Sequence, residues 1–270
     1  MSSILTNNGA MVALQTLKSV NMDLNDTQSQ ISTGKRIGSA KDNAAVWAIS
    51  KEMDSDIASY ESVQESLGVG ESTVAVALSG AEQIVETLTE MRQLAISANS
   101  ENVDHGKIQN SIAKKAAQIE SIIDSAEFNG ANLLDAATTP QLTVLGGLDP
   151  AADTITVTSI DSATNLSTGG ITAITDVGTA STALTEIETM LGNAIDAAAQ
   201  LGADSNRLGD QSQFVSKLND SLKMGVSTMT DTNMEESSAR LKALQTQQQL
   251  AVQSLSIANQ APQTLMSLFR

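Results

Sequence analysis

The 270-residue sequence has no cysteine, one histidine and very few aromatic residues, with three Phe, one Trp and one Tyr. The absence of cysteine excludes disulfide bonds, thiol catalysis and cysteine-rich metal sites. Aromatic side chains normally fill a thick globular core, so their scarcity favours thin helix-to-helix seams of Ala, Leu, Ile, Val and Met. The composition therefore predicts packed helices rather than a spherical domain.

Positive charge and long apolar runs are also lacking. The formal net charge is −16 and the fifteen Lys and Arg residues are scattered, whereas nucleic-acid binding needs a basic stripe and anionic membrane surfaces repel an acidic chain. The first residues, MSSILTNNGAMVAL, have no basic segment before the apolar ones, and no apolar run is long enough to span a bilayer. We expect no nucleic-acid partner, no membrane anchor and no standard secretory signal.

Candidate catalytic and metal-binding groups are sparse. His105 follows Asp104 in the polar stretch ENVDHGK, with no accompanying nucleophile or second histidine, so we interpret it as a solvated loop residue rather than a base. Paired carboxylates such as Asp54 and Asp56 lack a recognisable metal-ligand spacing. The stretch GVGES at 68–72 lacks the lysine of a phosphate loop and is interpreted as a flexible point in a helix. The sequence predicts a protein that is not an enzyme and holds no cofactor or metal.

The dominant pattern is a three-and-four spacing of apolar residues. It runs from Val46 to Ala98 and is broken only by Asp56 and Gly70. This spacing predicts one helix on the order of 75 to 80 Å long.

Two further helices follow. One is predicted from Lys107 to about Ser125, stopped by Asn129 and Gly130. The other is predicted from Leu184 to Leu222, with a heptad seam that could lie along the first helix.

Both ends of the sequence carry weaker helical seams, and the last residues, ANQAPQTLMSLFR, are apolar where chain ends are usually polar. Two interrupted seams do not outweigh the ordering entropy of about 1 to 2 kcal/mol per residue, so further partners are expected to cover them. Pro262 is expected to bend or break the last turns. The apolar residues of these seams and of the last segment that neighbouring subunits are expected to contact include Leu14, Leu17, Leu24, Ile31, Leu255, Leu265, Leu268 and Phe269.

The middle section, residues 138–181, is the part without a helical period. Its alternating stretches QLTVLGG and DTITVTSI predict short strands around a turn, carried at the tip of a helical hairpin. The predicted fold is mainly α: an elongated coiled-coil or helical-bundle rod formed by the N- and C-terminal halves, with this small β-containing outer segment.

Four segments resemble bacterial flagellins, in the order and spacing of that family. They are ISTGKRIGSAKDNAAVWAIS at 31–50, LTEMRQLAISANS at 88–100, SAEFNGANLL at 125–134 and ANQAPQTLMSLFR at 258–270. The resemblance covers roughly residues 1–137 and 182–270, and the middle corresponds to the part that varies among flagellins.

The resemblance implies a structural subunit that self-assembles into the extracellular flagellar filament for swimming motility, exported unfolded through the flagellar secretion channel. It implies an export chaperone, a filament cap and hook-junction proteins as partners, and leaves sister flagellins possible. The implied domains are a terminal coiled-coil core, disordered in the free monomer, a helical rod and a variable outer segment. Their bounds are 1–45 with 232–270, 46–137 with 182–231, and 138–181.

The resemblance also implies particular contacts between subunits. Arg36, Asp42 and Asn43 fall on the connector between terminal helix and rod, where polar side chains suit hydrogen bonds to neighbouring subunits. Pro262 and Arg270 belong to the C-terminal part of the same expected interface.

A second implication concerns an innate immune receptor of animals that recognises many flagellins. Arg92 and Leu94 fall in the recognised segment, but Glu90 stands where those flagellins usually carry a second arginine. Because a charge reversal at a charge-paired interface costs several kcal/mol, we expect weak or absent recognition.

Two alternative functions stay open at the level of sequence. A hook–filament junction protein shares helical termini, although such proteins usually lack the full set of rod signatures. A secreted helical adhesin or binding module would be expected to have a larger, aromatic-containing recognition surface.

Overall fold

A computed structural model of the chain describes residues 7–268, with the backbone alone for 261–268. The described residues form a mainly α fold, as predicted, and cluster into two compact units, one of residues 1–55 with 221–270 and the other of residues 56–220. In chain order the elements are α1 Asn8–Thr33, α2 Ala44–Ala98, α3 His105–Ser125, β1 Glu127–Phe128, β2 Ala131–Asn132, β3 Gln141–Leu145, β4 Thr154–Thr158, α4 Ser162–Asn165, a 3-10 turn Thr168–Gly170, α5 Val177–Thr230 and α6 Met234–Leu268.

The long helix predicted from the apolar spacing is confirmed as α2, 55 residues without a break. Every predicted seam position from Val63 to Ala98 is buried. The stretch GVGES lies inside this helix, as predicted, and Gly70 is buried, while its flexibility stays a prediction.

The other two predicted helices of this unit are also confirmed, with corrected ends. α5 extends beyond the predicted range in both directions, beginning at Val177 and ending at Thr230. Its start follows Asp176, whose side chain accepts a hydrogen bond from the Thr179 N–H at 2.9 Å, the usual way to satisfy a free amide of a first turn. Buried residues of α2, α3 and α5 form the hydrophobic core of residues 56–220.

His105 is not a solvated loop residue, so that interpretation is wrong. It begins α3, it is half-buried, and its Nε2 lies 3.0 Å from the Ala98 carbonyl oxygen at the end of α2. Asp104 caps α3 by accepting from the Lys107 N–H. The imidazole therefore joins two helix termini, satisfying a carbonyl that the helix leaves without an internal partner.

The Asn129–Gly130 pair turns the chain rather than stopping α3. The helix has already ended at Ser125, and both residues have positive φ, 51° and 84°. They form the two-residue loop of a hairpin in which Phe128 faces Ala131, as expected of Asn-Gly in a tight hairpin.

The predicted middle strands are confirmed as the antiparallel pair β3 and β4, with Val144 facing Ile155. Their predicted location at a hairpin tip is wrong. A Cβ added at Gly70 of α2 would lie 2.6 Å from Val144 Cγ2, and Gln211 Nε2 of α5 donates to the Gly146 carbonyl oxygen at 2.5 Å. The strands therefore lie against the flanks of the long helices, many turns from the start of α5.

The segment that follows β4 is also tied to the helices of its unit. Glu186 accepts hydrogen bonds from the Thr172 N–H and hydroxyl at 2.6 and 2.9 Å, and the Ile174 N–H donates to Gln109 Oε1 at 2.8 Å. Ile174 itself is buried in the core. The Thr-rich segment after β4 is thus held in place by hydrogen bonds to α3 and α5.

Candidate subunit interface

The terminal helices α1 and α6 pack against each other along an antiparallel seam. Near one end Asn7 Nδ2 donates to the Ala258 carbonyl oxygen at 2.7 Å, and further along Gln248 Nε2 donates to Asn21 Oδ1 at 2.6 Å. Up to residue 260, where the described side chains end, the seam buries few and mostly small side chains. They are Val20, Thr27, Ser237, Leu244 and Ala251.

The connectors that join these helices to α2 and α5 are hydrogen-bonded to each other. We call residues 34–37 and 229–232 the connector clasp. The Arg36 and Ile37 N–H groups both donate to the Thr230 carbonyl oxygen, at 2.7 and 3.2 Å, and the Thr232 N–H donates to the Gly34 carbonyl oxygen at 3.0 Å. The side chain of Arg36 adds a bond from Nη2 to the Met229 carbonyl oxygen at 3.1 Å.

A polar turn connects the clasp to α2. Asp42 Oδ2 accepts from the N–H groups of Gly38 and Ser39 and from the Ser39 hydroxyl, at 2.9 to 3.1 Å. The bonds from Ser39, its N–H first, hold the pKa of Asp42 below its ordinary value because they favour the ionised carboxylate. Asn43 then caps α2, accepting from the Ala45 and Val46 N–H groups at 3.2 Å.

Large apolar side chains remain exposed on the outer faces of the terminal pair. Leu14 is 58% exposed and Ile257 is 64% exposed, so neither is part of the seam. An open groove of about 440 Å³ between the helices is lined in part by Val12, Val20 and Leu250. Among residues 8–260, the exposed set on α1 and α6 consists of Met11, Val12, Leu14, Met22, Met234, Leu250, Val252 and Ile257.

The predicted seam of the terminal helices is thus correct in part. Leu17, Leu24, Ile31 and Leu255 are half-buried, but Leu14 points away from the pair, because the buried face of α1 passes through Val20 and Thr27 instead. The three-and-four spacing did not show which face of α1 meets α6, since α1 has apolar residues on two faces. The second apolar face, which runs from Met11 to Met22, was the sequence signal for the exposed side.

The remaining C-terminal residues are only partly described. α6 continues through position 262 to Leu268, so the expected break at Pro262 is not observed. Of Pro262, Leu265 and Leu268 only the backbone is described, and Phe269 and Arg270 lie outside the described residues.

The segment equivalent to the receptor-binding part carries two exposed ion pairs across helices. Glu90 pairs with Lys115 of α3 and Arg92 Nε lies 2.9 Å from Glu188 Oε1 of α5, while Leu94 is half-buried against the core. Weak receptor recognition stays a prediction.

The comparison with known families identifies the chain. The family model for the bacterial flagellin N-terminal helical region matches residues 4–139, and that for the C-terminal helical region matches residues 174–269. The chain belongs to the bacterial flagellin family. It is a structural subunit of the flagellar filament, which lies outside the cell.

Similar proteins match this flagellin over its whole length. A flagellin of Brucella melitensis is 41% identical, with 100% of both chains covered, and flagellins FljM and FljK of Caulobacter vibrioides are each 39% identical, with 100% of this chain and 99% of theirs covered. The crystal structure of Bacillus cereus flagellin matches with a TM-score of 0.51 and 26% identity, over 56% of this chain and 88% of that one. None of these matches favours a junction protein or an adhesin.

The described part of this flagellin offers neither a membrane-spanning helix nor a metal-binding cluster. Within residues 7–268 no helix combines the length and hydropathy needed to cross a bilayer. Nor do three carboxylate or histidine side chains of those residues converge in a way that could hold a metal ion.

Proposed function

We propose that the outer faces of α1 and α6 are the surface through which this flagellin polymerises, and that other copies of the chain cover them in the filament. The observation that carries the proposal is the set of large apolar side chains left exposed on this helix pair. Extended exposed apolar surface of this kind marks interaction sites in proteins.

The energetics of the pair support the same proposal. Burying one large apolar side chain contributes about 1.5 to 3 kcal/mol, and among the side chains described on α1 and α6 the buried apolar ones of the seam are only Val20, Leu244 and Ala251. Ordering the 26 residues of α1 costs about 1 to 2 kcal/mol per residue in backbone entropy before any compensation. We therefore propose that the terminal helices are disordered in the free monomer and become ordered when neighbouring copies cover their outer faces.

Within this arrangement we propose three functional parts, each with its own place in the subunit. Residues 1–45 with 232–270 are the coiled-coil core, 46–137 with 182–231 are the helical rod, and 138–181 are the variable outer segment. The proposed role of Arg36, Asp42 and Asn43 in contacts between subunits rests on their exposed positions, Arg36 in the connector clasp and the other two in the turn beside it, where they also bond within the chain.

The other proposed partners follow from membership of the family. We propose export by the flagellar apparatus with a chaperone, and contacts with the filament cap and the hook-junction proteins at the two ends of the filament. Sister flagellins in the same filament are a further proposal, supported by the match to more than one flagellin of Caulobacter vibrioides.

The polymerisation surface is tested by making it polar without touching the seam. In the Leu14→Ser and Ile257→Ser variants the critical concentration for polymerisation should rise about 10- to 100-fold each, because roughly 1.5 to 3 kcal/mol of burial is lost. Gln15→Ser, an exposed polar position beside Leu14, is the control and should polymerise as the parent does. Sedimentation of polymer against total protein measures the critical concentration, and parental values for both Ser variants would contradict the proposal.

Coupled ordering of the ends is tested by limited proteolysis of monomer and filament. Protease should remove the ends of the monomer and spare residues 56–220, whereas polymer should protect both ends. Equal protection of the ends in monomer and polymer would show that α1 and α6 order without assembly.

A further inference from the structure

Among the described side chains of α1 and α6, the seam contains one cross-helix pair of amides. Gln248 Nε2 donates to Asn21 Oδ1 at 2.6 Å, and both side chains are half-buried. Gln248 lies between the buried Leu244 and Ala251 on α6, and Asn21 follows the buried Val20 on α1. The pair therefore occupies seam positions at which a leucine would bury more apolar surface.

The apolar part of the seam is poorly suited to choosing one alignment of the two helices. Its members repeat at steps of three and four residues, so sliding α6 by one heptad past α1 again brings apolar residues opposite each other. The bond from Asn7 Nδ2 goes to a backbone carbonyl oxygen, which every residue of α6 offers. The connector clasp acts mainly through backbone groups, with one side-chain bond from Arg36, and only at the far end of the pair.

The amide pair distinguishes the observed alignment from the slid ones. With Asn21 opposite Gln248, a slide of seven residues would place Asn21 opposite Leu241 or Leu255, depending on its direction. Both of those leucines are half-buried seam residues. An amide held against a leucine in a helix seam loses its side-chain hydrogen-bond partner, and leaving a partly buried polar group unpaired is disfavoured.

We propose that Asn21 and Gln248 are positioning residues that set the register of α1 against α6. The pair gives up some apolar burial in the seam and makes one alignment of the terminal helices better than the alignments one heptad away. A single polar pair in an apolar helix seam is a known means of specifying register at a cost in stability.

The absence of cysteine from the chain makes register directly measurable by disulfide trapping. A Cβ built on Gly9 lies 3.9 Å from Ala258 Cβ, within the range of about 3.5 to 4.5 Å for a disulfide. The pair Gly9→Cys with Ala258→Cys therefore reports the observed register. Gly9→Cys with Ala251→Cys, and Thr16→Cys with Ala258→Cys, report slides of one heptad, since seven residues are about 10.5 Å along a helix.

The experiment compares the three reporters in the full chain under polymerising conditions, scoring intramolecular disulfides on non-reducing gels for the whole sample. In the parent background the Gly9–Ala258 reporter should dominate. With Asn21→Leu and Gln248→Leu added, a slide by one heptad no longer breaks a hydrogen bond between two amides. The ratio of cross-links from the slid alignments to the cross-link from the observed alignment should therefore rise about tenfold.

Two further backgrounds separate register from general stability. Exchanging the residues, Asn21→Gln with Gln248→Asn, keeps an amide pair and should restore the parental ratio. Asn25→Leu with Gln249→Leu makes the same kind of change at exposed positions and should leave the ratio unchanged. An unchanged ratio in the double-leucine background, or a parent in which slid cross-links equal the Gly9–Ala258 cross-link, would overturn the proposal.

Discussion

The contact between α2 and the β3–β4 hairpin makes a sharp prediction at Gly70. A Cβ there would lie 2.6, 3.1 and 3.4 Å from the Cγ2, Cγ1 and Cβ atoms of Val144. Val144 has little room to retreat, since its β-branched side chain has few rotamers and its strand is held by the bond from Gln211 to the Gly146 carbonyl oxygen. Gly70→Ala should therefore overpack this contact.

The expected magnitude follows from two opposing terms. Replacing glycine by alanine inside a helix stabilises by about 1 kcal/mol, whereas overpacking a core costs about 1 to 3 kcal/mol. Gly70→Ala should lower the free energy of unfolding by roughly 0 to 2 kcal/mol after both terms are counted. Gly68, two residues earlier in the same helix, has no atom within 4 Å of an added Cβ, so Gly68→Ala should raise it by about 1 kcal/mol.

Urea unfolding of the two variants and the parent, followed by far-ultraviolet circular dichroism, measures the difference. A third background, Val144→Ala, removes the methyl groups that the new Cβ meets, so adding Gly70→Ala there should no longer destabilise. The coupling between the two positions should be about 1 to 3 kcal/mol. If Gly70→Ala stabilises as much as Gly68→Ala and shows no coupling to Val144, the reasoning from close approach is refuted.

Two other predictions concern the helix ends. Gly34 ends α1 with φ of 70°, so Gly34→Ala should destabilise α1 in the polymer, where we propose that this helix is ordered, by about 1 kcal/mol. Gly38→Ala, where φ is not positive and no atom lies within 4 Å, should not, and equal effects in denaturant titrations of the polymer would argue against the conformational explanation. Hydrogen bonds from Lys107, its N–H first, hold the pKa of Asp104 below 3.8, so this cap stabilises the fold above that pH and its contribution is lost as the pH falls through the lowered pKa. Asp104→Asn keeps a capping oxygen but does not titrate, so acid should destabilise this variant less than the parent. Unfolding curves measured above and below pH 3.8 test this, and parallel pH profiles of the two proteins would contradict the assignment.

The sequence was sufficient for the helices because helical periodicity is a local property. The seam of α2 from Val63 to Ala98 and the extent of α3 could be read from spacing alone. The same rule misplaced Leu14, since α1 carries apolar residues on two faces and spacing does not say which face meets α6. The division into three domains and the residues of the subunit interface stay predictions.

The amino-acid sequence by itself determined the mainly α fold, the stretches of chain that form β3 and β4 and the membership of the flagellin family, because each depends on patterns within short stretches of chain. Only the tertiary structure decided what Gly70, His105 and the connector clasp do. Gly70 leaves room for the Val144 side chain to pack against α2, and His105 joins the ends of two helices. Residues 34–37 form hydrogen bonds to residues 229–232. Each of those contacts depends on how separately predictable elements dock, and the side chains that meet there do not show in the spacing of either element.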